Sequence, residues 1–131
     1  MLGIDTNVLV RLLVADDATQ TRKARLLIEK CMARHEAVLV SIAVIVEVEW
    51  VLRSRYEMSK PEIVAAFRAL LAAVELTFED ESAIEEALYT WQDSPAGFVD
   101  CLIAARHRRL GCSATATFDA KALRVPGFIP V

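Results

Sequence analysis

The segment Ala37-Val38-Leu39-Val40-Ser41-Ile42-Ala43-Val44-Ile45-Val46 decides the fold. Ala37 to Val40 is apolar at every position, the pattern of a strand buried on both faces of a parallel sheet. Ser41 then supplies a hydroxyl suited to cap a helix, and that helix runs from Ile42 to about Arg55. A strand passing directly into a helix is half of a βαβ unit, and the same grammar recurs on either side. Upstream, Met1 to Ile4 is a short apolar run stopped by Asp5. Helices follow at Thr6 to Leu13 and Thr19 to Arg34, the second with Ala24, Leu27, Ile28 and Cys31 at helical spacing. Downstream, Ser59-Lys60-Pro61-Glu62 has the form of a capping box opening a helix to about Ala73. Val74 to Phe78 alternates as a third strand. Glu81 to Gln92 is a helix with acids in its first turn. Gly97 to Leu110 is another, closed by Gly111. Cys112 to Thr117 is a fourth strand, and Phe128 to Val131 is a candidate fifth.

This order predicts an α/β class protein. The expected form is a three-layer α/β/α arrangement about a central, mostly parallel sheet of four to five strands. Its 131 residues suit one domain over 1–131, with no repeat, linker or low-complexity segment to divide it. Residues classed as hydrophobic make up 55% and charged residues 25%, which excludes a disordered chain. Aromatics are 7%, so Ala, Val, Leu and Ile must fill the core. A net charge of −3 excludes a strongly basic nucleic-acid coat protein. It does not exclude a nucleic-acid enzyme whose acids are concentrated at its site. The bases are eleven Arg and four Lys, a bias that favours anionic partners because the guanidinium fork matches phosphate. No signal peptide is recognisable. The longest uncharged apolar run, Ala37 to Val46, falls well short of the ~20 residues of a membrane helix. Cys31, Cys101 and Cys112 are odd in number and lack zinc spacing, so a cytoplasmic protein with no membrane contact and reduced thiols is expected.

Four acids are notable for their positions. Asp5 ends the first strand. Glu47 lies in the second turn of the helix after the second strand. Asp100 lies in the first turn of the helix that begins near Gly97. Asp119 ends the fourth strand. In an open parallel sheet all four places are at the carboxyl edge, where such folds bind ligands. Glu47 and Asp100 also stand among apolar neighbours, where a buried carboxylate is costly unless satisfied. Two explanations remain open. Either these acids point from helix ends to solvent, Asp5 and Asp119 as simple N-caps, or they converge on a cation. Converging carboxylates repel, and Mg²⁺ or Mn²⁺ removes that cost with oxygen ligands. Asn7, Ser41 and Thr117 are candidates to hold the acids from behind. His107 shares the face of Asp100, but its Arg neighbours suggest a solvated basic face. Arg11, Arg53, Arg55 and Arg106 are candidate phosphate contacts.

These residues carry a resemblance. Leu2-Gly3-Ile4-Asp5-Thr6-Asn7-Val8-Leu9 resembles the opening signature of PIN-domain proteins. Ser41 to Leu52 resembles their second motif, with Glu47 as its acid. Phe98-Val99-Asp100-Cys101-Leu102-Ile103-Ala104-Ala105 is similar to the third, and Ala116-Thr117-Phe118-Asp119 to the fourth. The four occur in order across essentially the whole chain, and its length resembles VapC-type toxins of type II toxin–antitoxin systems. The resemblance implies a metal-dependent endoribonuclease that hydrolyses RNA with Mg²⁺ or Mn²⁺. Asp5 and Asp100 would be direct metal ligands, and Glu47 and Asp119 would complete the acidic set directly or through water. It also implies a homodimer and a small cognate antitoxin covering the site. Many relatives carry a further acid where Gly97 stands here, which bears on a second metal.

Two other classes compete. One is a PIN-like module that binds RNA or a partner without cutting. The other is a Mg²⁺-dependent phosphatase or receiver domain. Asp5-Thr6-Asn7 lacks the second Asp of a phosphatase nucleophile motif. A receiver would need an acid pair at Asp5, and only Asp80 offers a phosphoacceptor.

Overall fold

The computed structural model describes residues 1–131. The protein belongs to the mixed α/β class, and every strand pairing is parallel. The chain divides into two compact units, Met1–Glu79 and Asp80–Val131. No helix is long and apolar enough to cross a membrane.

The first unit contains β1 (Leu2–Gly3), α1 (Thr6–Leu13), α2 (Ala18–Ala33), β2 (Val38–Val40), α3 (Ile42–Ser54), α4 (Lys60–Ala72) and β3 (Leu76–Phe78). Its sheet has the order β1-β2-β3, with Leu2 opposite Val38 and Val38 opposite Leu76. Val38 and Val40 are fully buried, as expected of a central strand covered on both faces. Ile45, Val48 and Leu52 form the buried stripe of α3. Ile63, Phe67 and Leu70 form that of α4. Ser59 and Glu62 close a true capping box at the start of α4, with Pro in its first turn. The third strand is shorter than its alternation suggests. Leu76 N–H bonds back to Ala73 O (3.3 Å), so Val74 is spent on the turn and is 86% exposed.

The second unit contains α5 (Glu81–Gln92), α6 (Phe98–Arg109), β4 (Thr115–Thr117), a short 3-10 turn (Ala122–Arg124) and β5 (Phe128–Pro130). β4 and β5 pair in parallel, so the five strands hydrogen-bond as a set of three and a set of two. The buried faces of α5 and α6 are lined with small residues, Ala83 and Ala87 on one and Ala104 and Ala105 on the other. Trp91 and Phe98 meet edge to face, with centroids 5.4 Å apart. β4 starts three residues later than the sequence suggests because α6 ends in a Schellman motif. Cys112 N–H reaches His107 O (2.9 Å) and Gly111 N–H reaches Arg108 O (3.0 Å), with Gly111 left-handed at φ 93°. Cys31 and Cys101 are buried, Cys112 is exposed, and none forms a disulfide.

Candidate active site

In the first unit the carboxyl ends of β1, β2 and β3 lead into Asp5, Ser41 and Glu79. Asp5 is extended at φ −90°, ψ 179° and caps α1, its Oδ1 accepting from Val8 N–H at 3.0 Å. Thr6 follows it and is buried. The Thr6 hydroxyl donates to Glu47 Oε2 at 2.9 Å, across 41 residues of sequence. Glu47 is thereby held beside the turn that Asp5 caps. Both acids are exposed, and each keeps one oxygen without a protein donor. Exposure resolves the isolated-acid question for Glu47: it points to solvent and carries no burial cost. Asn7 is exposed on the first turn of α1. Ser41 caps α3 through Val44 N–H (3.3 Å). Glu79 takes the adjacent orphan donor, Ile42 N–H, at 2.8 Å, so two side chains satisfy the start of α3.

In the second unit Asp100 is half-buried in the first turn of α6. Gly97 caps that helix without a side chain, and a β-carbon there would meet Asp100 Oδ2 at 4.0 Å. An acid at this position would therefore stand beside Asp100. Asp119 is exposed after β4. Its backbone N–H donates to Thr117 Oγ1 (2.9 Å), and its Oδ1 accepts from Lys121 N–H (2.8 Å). Thr117 thus holds the Asp119 turn, and Asp119 caps the chain that follows. His107 is half-buried and shares a 2.8 Å hydrogen bond with Thr115 Oγ1, joining α6 to β4.

The candidate bases are mostly engaged with other acids. Arg11 donates from Nε to Gln20 (2.7 Å) and from Nη1 to Asp16 (2.7 Å) and the Tyr56 hydroxyl (3.2 Å). Tyr56 in turn donates to Asp16 Oδ2 at 2.8 Å. The Tyr56 hydroxyl, then Arg11, hold the Asp16 carboxyl below its ordinary range, and Tyr56, then Asp16, raise the Arg11 guanidinium. Arg53 pairs with Glu49 (2.8 Å), and that hydrogen bond raises the Arg53 guanidinium. Arg106 and Arg109 both clasp Asp80, and Arg108 binds Glu86 and Pro126 O. The basic end of α6 is therefore solvated, as expected, and also ion-paired. Asp80 is no phosphoacceptor, because its side chain is only 7% exposed between two guanidinium groups. The receiver reading loses its one residue. Arg55 alone of the four Arg candidates has no acid partner.

None of Asp5, Glu47, Asp100 and Asp119 is paired with a base. All four are hard oxygen donors, which is the chemistry Mg²⁺ and Mn²⁺ select. Neither unit by itself gathers three or more His, Cys, Asp or Glu side chains at a spacing that holds a metal ion.

Three residues escape the sequence reading. Glu49 is the buried acid of α3, at 2% exposure. A signal for it existed, since it lies four residues after Ile45 on the stripe that Val48 and Leu52 extend. Glu79 as a remote helix anchor and Asp80 as a clamp had no local signal, because their partners lie 37 and 29 residues away.

The PIN domain family matches residues 3–127. No curated protein matches the chain. With all but its first two and last four residues inside that match, the chain belongs to the PIN domain family, whose modules are in general metal-dependent nucleases.

Proposed function

We propose that this protein is a metal-dependent endoribonuclease, the toxin of a type II toxin–antitoxin pair resembling the VapC-type toxins. The observation that carries the reading is the Thr6 bridge. It fixes Glu47 beside the Asp5 turn while leaving an oxygen of each acid open and neither neutralised by a base. Glu49 and Asp80, by contrast, are each held by guanidinium groups.

In this reading Asp5 and Asp100 are the direct ligands of a divalent ion, with Glu47 and Asp119 binding directly or through water. When bound, Mg²⁺ or Mn²⁺ lowers the pKa of a water and neutralises charge on the scissile phosphate. The chain's own part is positional. Asp5 is held by its bond to Val8 N–H, which leaves its second oxygen without a protein donor. Thr6 does the same for Glu47, and Lys121 N–H for Asp119. Glu47 or Asp119 orients the attacking water and accepts its proton. The water oxygen would form the new bond to phosphorus as one bridging P–O bond breaks, and the departing ribose oxygen would leave as a hydroxyl after taking a proton from solvent. Arg55 is free to hold the RNA backbone. Thr117 supports Asp119, Asn7 stands beside Asp5, and Ser41 orients α3 by capping it. The protein acts in the cytoplasm as a homodimer, and a small cognate antitoxin covers the acids.

The test is cleavage of a labelled mixed RNA pool by purified protein free of partner, with Mg²⁺, Mn²⁺ or EDTA. Asp100→Asn, purified identically, is the control. Metal-dependent cutting that Asp100→Asn loses by a factor of at least about 100 is expected if a metal ligand is removed. Equal cutting by Asp100→Asn overturns the assigned acids. RNA binding without cutting under any metal identifies a non-catalytic RNA-binding module instead.

A further inference from the structure

An open cleft of about 330 Å³ lies between α1 and α2 in the first unit, with Asp5 on its rim. From α1 it receives Asn7, Val8 and Arg11. From α2 it receives Gln20, Lys23, Ala24 and Leu27, the i, i+3, i+4, i+7 stripe of one helix face. We propose that this cleft is a subsite for one unpaired nucleotide of the RNA strand. Lys23 takes its phosphate, and the apolar floor of Val8, Ala24 and Leu27 takes the sugar or base.

Charge supports this assignment. The chain is net negative, yet α2 carries Arg22, Lys23, Arg25 and Lys30 against Glu29 alone. None of those four bases is in an ion pair with an acid. Arg11, the cleft's other base, cannot serve, because Asp16 neutralises it and Gln20 and Tyr56 hold it. It is a fixed wall instead. Its network joins α1, the Asp16 loop, α2 and the segment after α3, so the cleft is ordered before any ligand arrives. That leaves Lys23 as the cleft's uncommitted cation.

Size and place narrow the ligand. The volume is at the low end of the ~300–1,000 Å³ of small-molecule sites, enough for one nucleotide and too little for a duplex. The inference rests on the nuclease reading. If a phosphodiester is brought to Asp5, the next nucleotide must lie against the surface that adjoins Asp5, and this cleft does.

The experiment measures binding, not cutting. Asp100→Asn is titrated into a labelled short single-stranded RNA with Mg²⁺ at several salt concentrations, beside Asp100→Asn/Lys23→Ala and Asp100→Asn/Lys23→Arg. Lys23→Ala should weaken binding about fivefold, the size of one exposed charge-assisted contact. It should also lower the slope of log K against log salt by about 0.7, the value for one single-strand phosphate. Lys23→Arg should keep both. A purely structural role would move the thermal midpoint and leave the slope alone. Unchanged affinity and slope in Lys23→Ala overturn the subsite and leave the nuclease reading standing. Failure of Asp100→Asn to bind any RNA, with an inactive parent protein, overturns both. Displacement of the RNA by an oligoglutamate peptide at equal concentration overturns the nucleotide assignment in favour of an acidic protein ligand.

Discussion

Replacing Asp80 by Asn tests the bracket that ties the start of α5 to the end of α6. The Asp80 side chain is 7% exposed, while those of Arg106 and Arg109 are 34% and 46% exposed. One oxygen accepts from Arg109 Nε, and the other faces Arg106 Nη1 at 3.0 Å without hydrogen-bond geometry. Breaking a fully buried pair costs about 3–5 kcal/mol, and an exposed pair is worth about 0–1 kcal/mol. Here only the anion is buried. The abandoned guanidinium groups can hydrate, and Asn preserves volume and donates or accepts one bond. The expected loss lies between those limits, about 1.5–2.5 kcal/mol, which lowers Tm by roughly 5–10 °C in a chain of this length. Ala should cost about 1–2 kcal/mol more, because residue 80 is left-handed at φ 52°, ψ 58°, a conformation Asn tolerates and Ala does not. Urea unfolding followed by circular dichroism and Trp emission measures both, since Trp91 is buried in the same unit. A double cycle with Arg109→Gln isolates the pair. Loss of under about 0.5 kcal/mol in Asp80→Asn, or equal stability of the Asn and Ala variants, would refute the reasoning.

Two further outcomes follow from the geometry. Asp16 is depressed below 3.8 chiefly by the Tyr56 hydroxyl. A depressed carboxyl contributes stability that is complete above the unfolded value and lost as pH falls through the folded one. Tyr56→Phe should therefore be less stable than the parent near neutrality, and the gap should shrink as pH falls below 3.8. Urea midpoints across that range check it, and a constant gap contradicts it. At Gly97 the backbone (φ −74°, ψ 161°) admits any residue, and the nearest atom to an added β-carbon is Asp100 Oδ2 at 4.0 Å. Gly97→Asp should gain a few tenths of a kcal/mol as an N-cap and lose part of it to repulsion with Asp100. Added Mg²⁺ should then raise Tm more in the variant than in the parent. An equal rise in both would show that residue 97 does not share a cation with Asp100.

The helices were legible because their boundaries are chemical. Asp5, Ser41 and Ser59 each cap the helix that follows, through Val8, Val44 and Glu62 N–H. Those side chains act within three residues, a range over which sequence and structure are nearly the same information. Strand ends were less legible. Val74 and Cys112 fit an alternating pattern yet are consumed by the turn after α4 and the Schellman close of α6, where backbone bonds outrank side-chain pattern. The division of five strands into three and two had no local signature, because pairing depends on which edges meet and not on composition.

For the candidate site the limit lies in the difference between an acid's position and its surroundings. Glu47 and Glu49 sit two residues apart in Val46-Glu47-Val48-Glu49-Trp50, and the apolar context is the same for both. Two residues on a helix are about 200° of rotation, so burial of one exposes the other. The α3 stripe of Ile45, Val48 and Leu52 takes Glu49 inside, where Arg53 neutralises it. Glu47 is left outside, with Thr6 its hydrogen-bond partner. Chemistry follows from that split. Glu49 has a guanidinium countercharge beside it. Glu47 is oriented by a neutral hydroxyl and has no countercharge from a base. Under the proposed function, that difference makes Glu47 the acid open to a cation. Under the proposed function, Glu47→Gln should leave the urea midpoint nearly unchanged while abolishing metal-dependent cleavage, and Glu49→Gln should lower the midpoint while retaining cleavage.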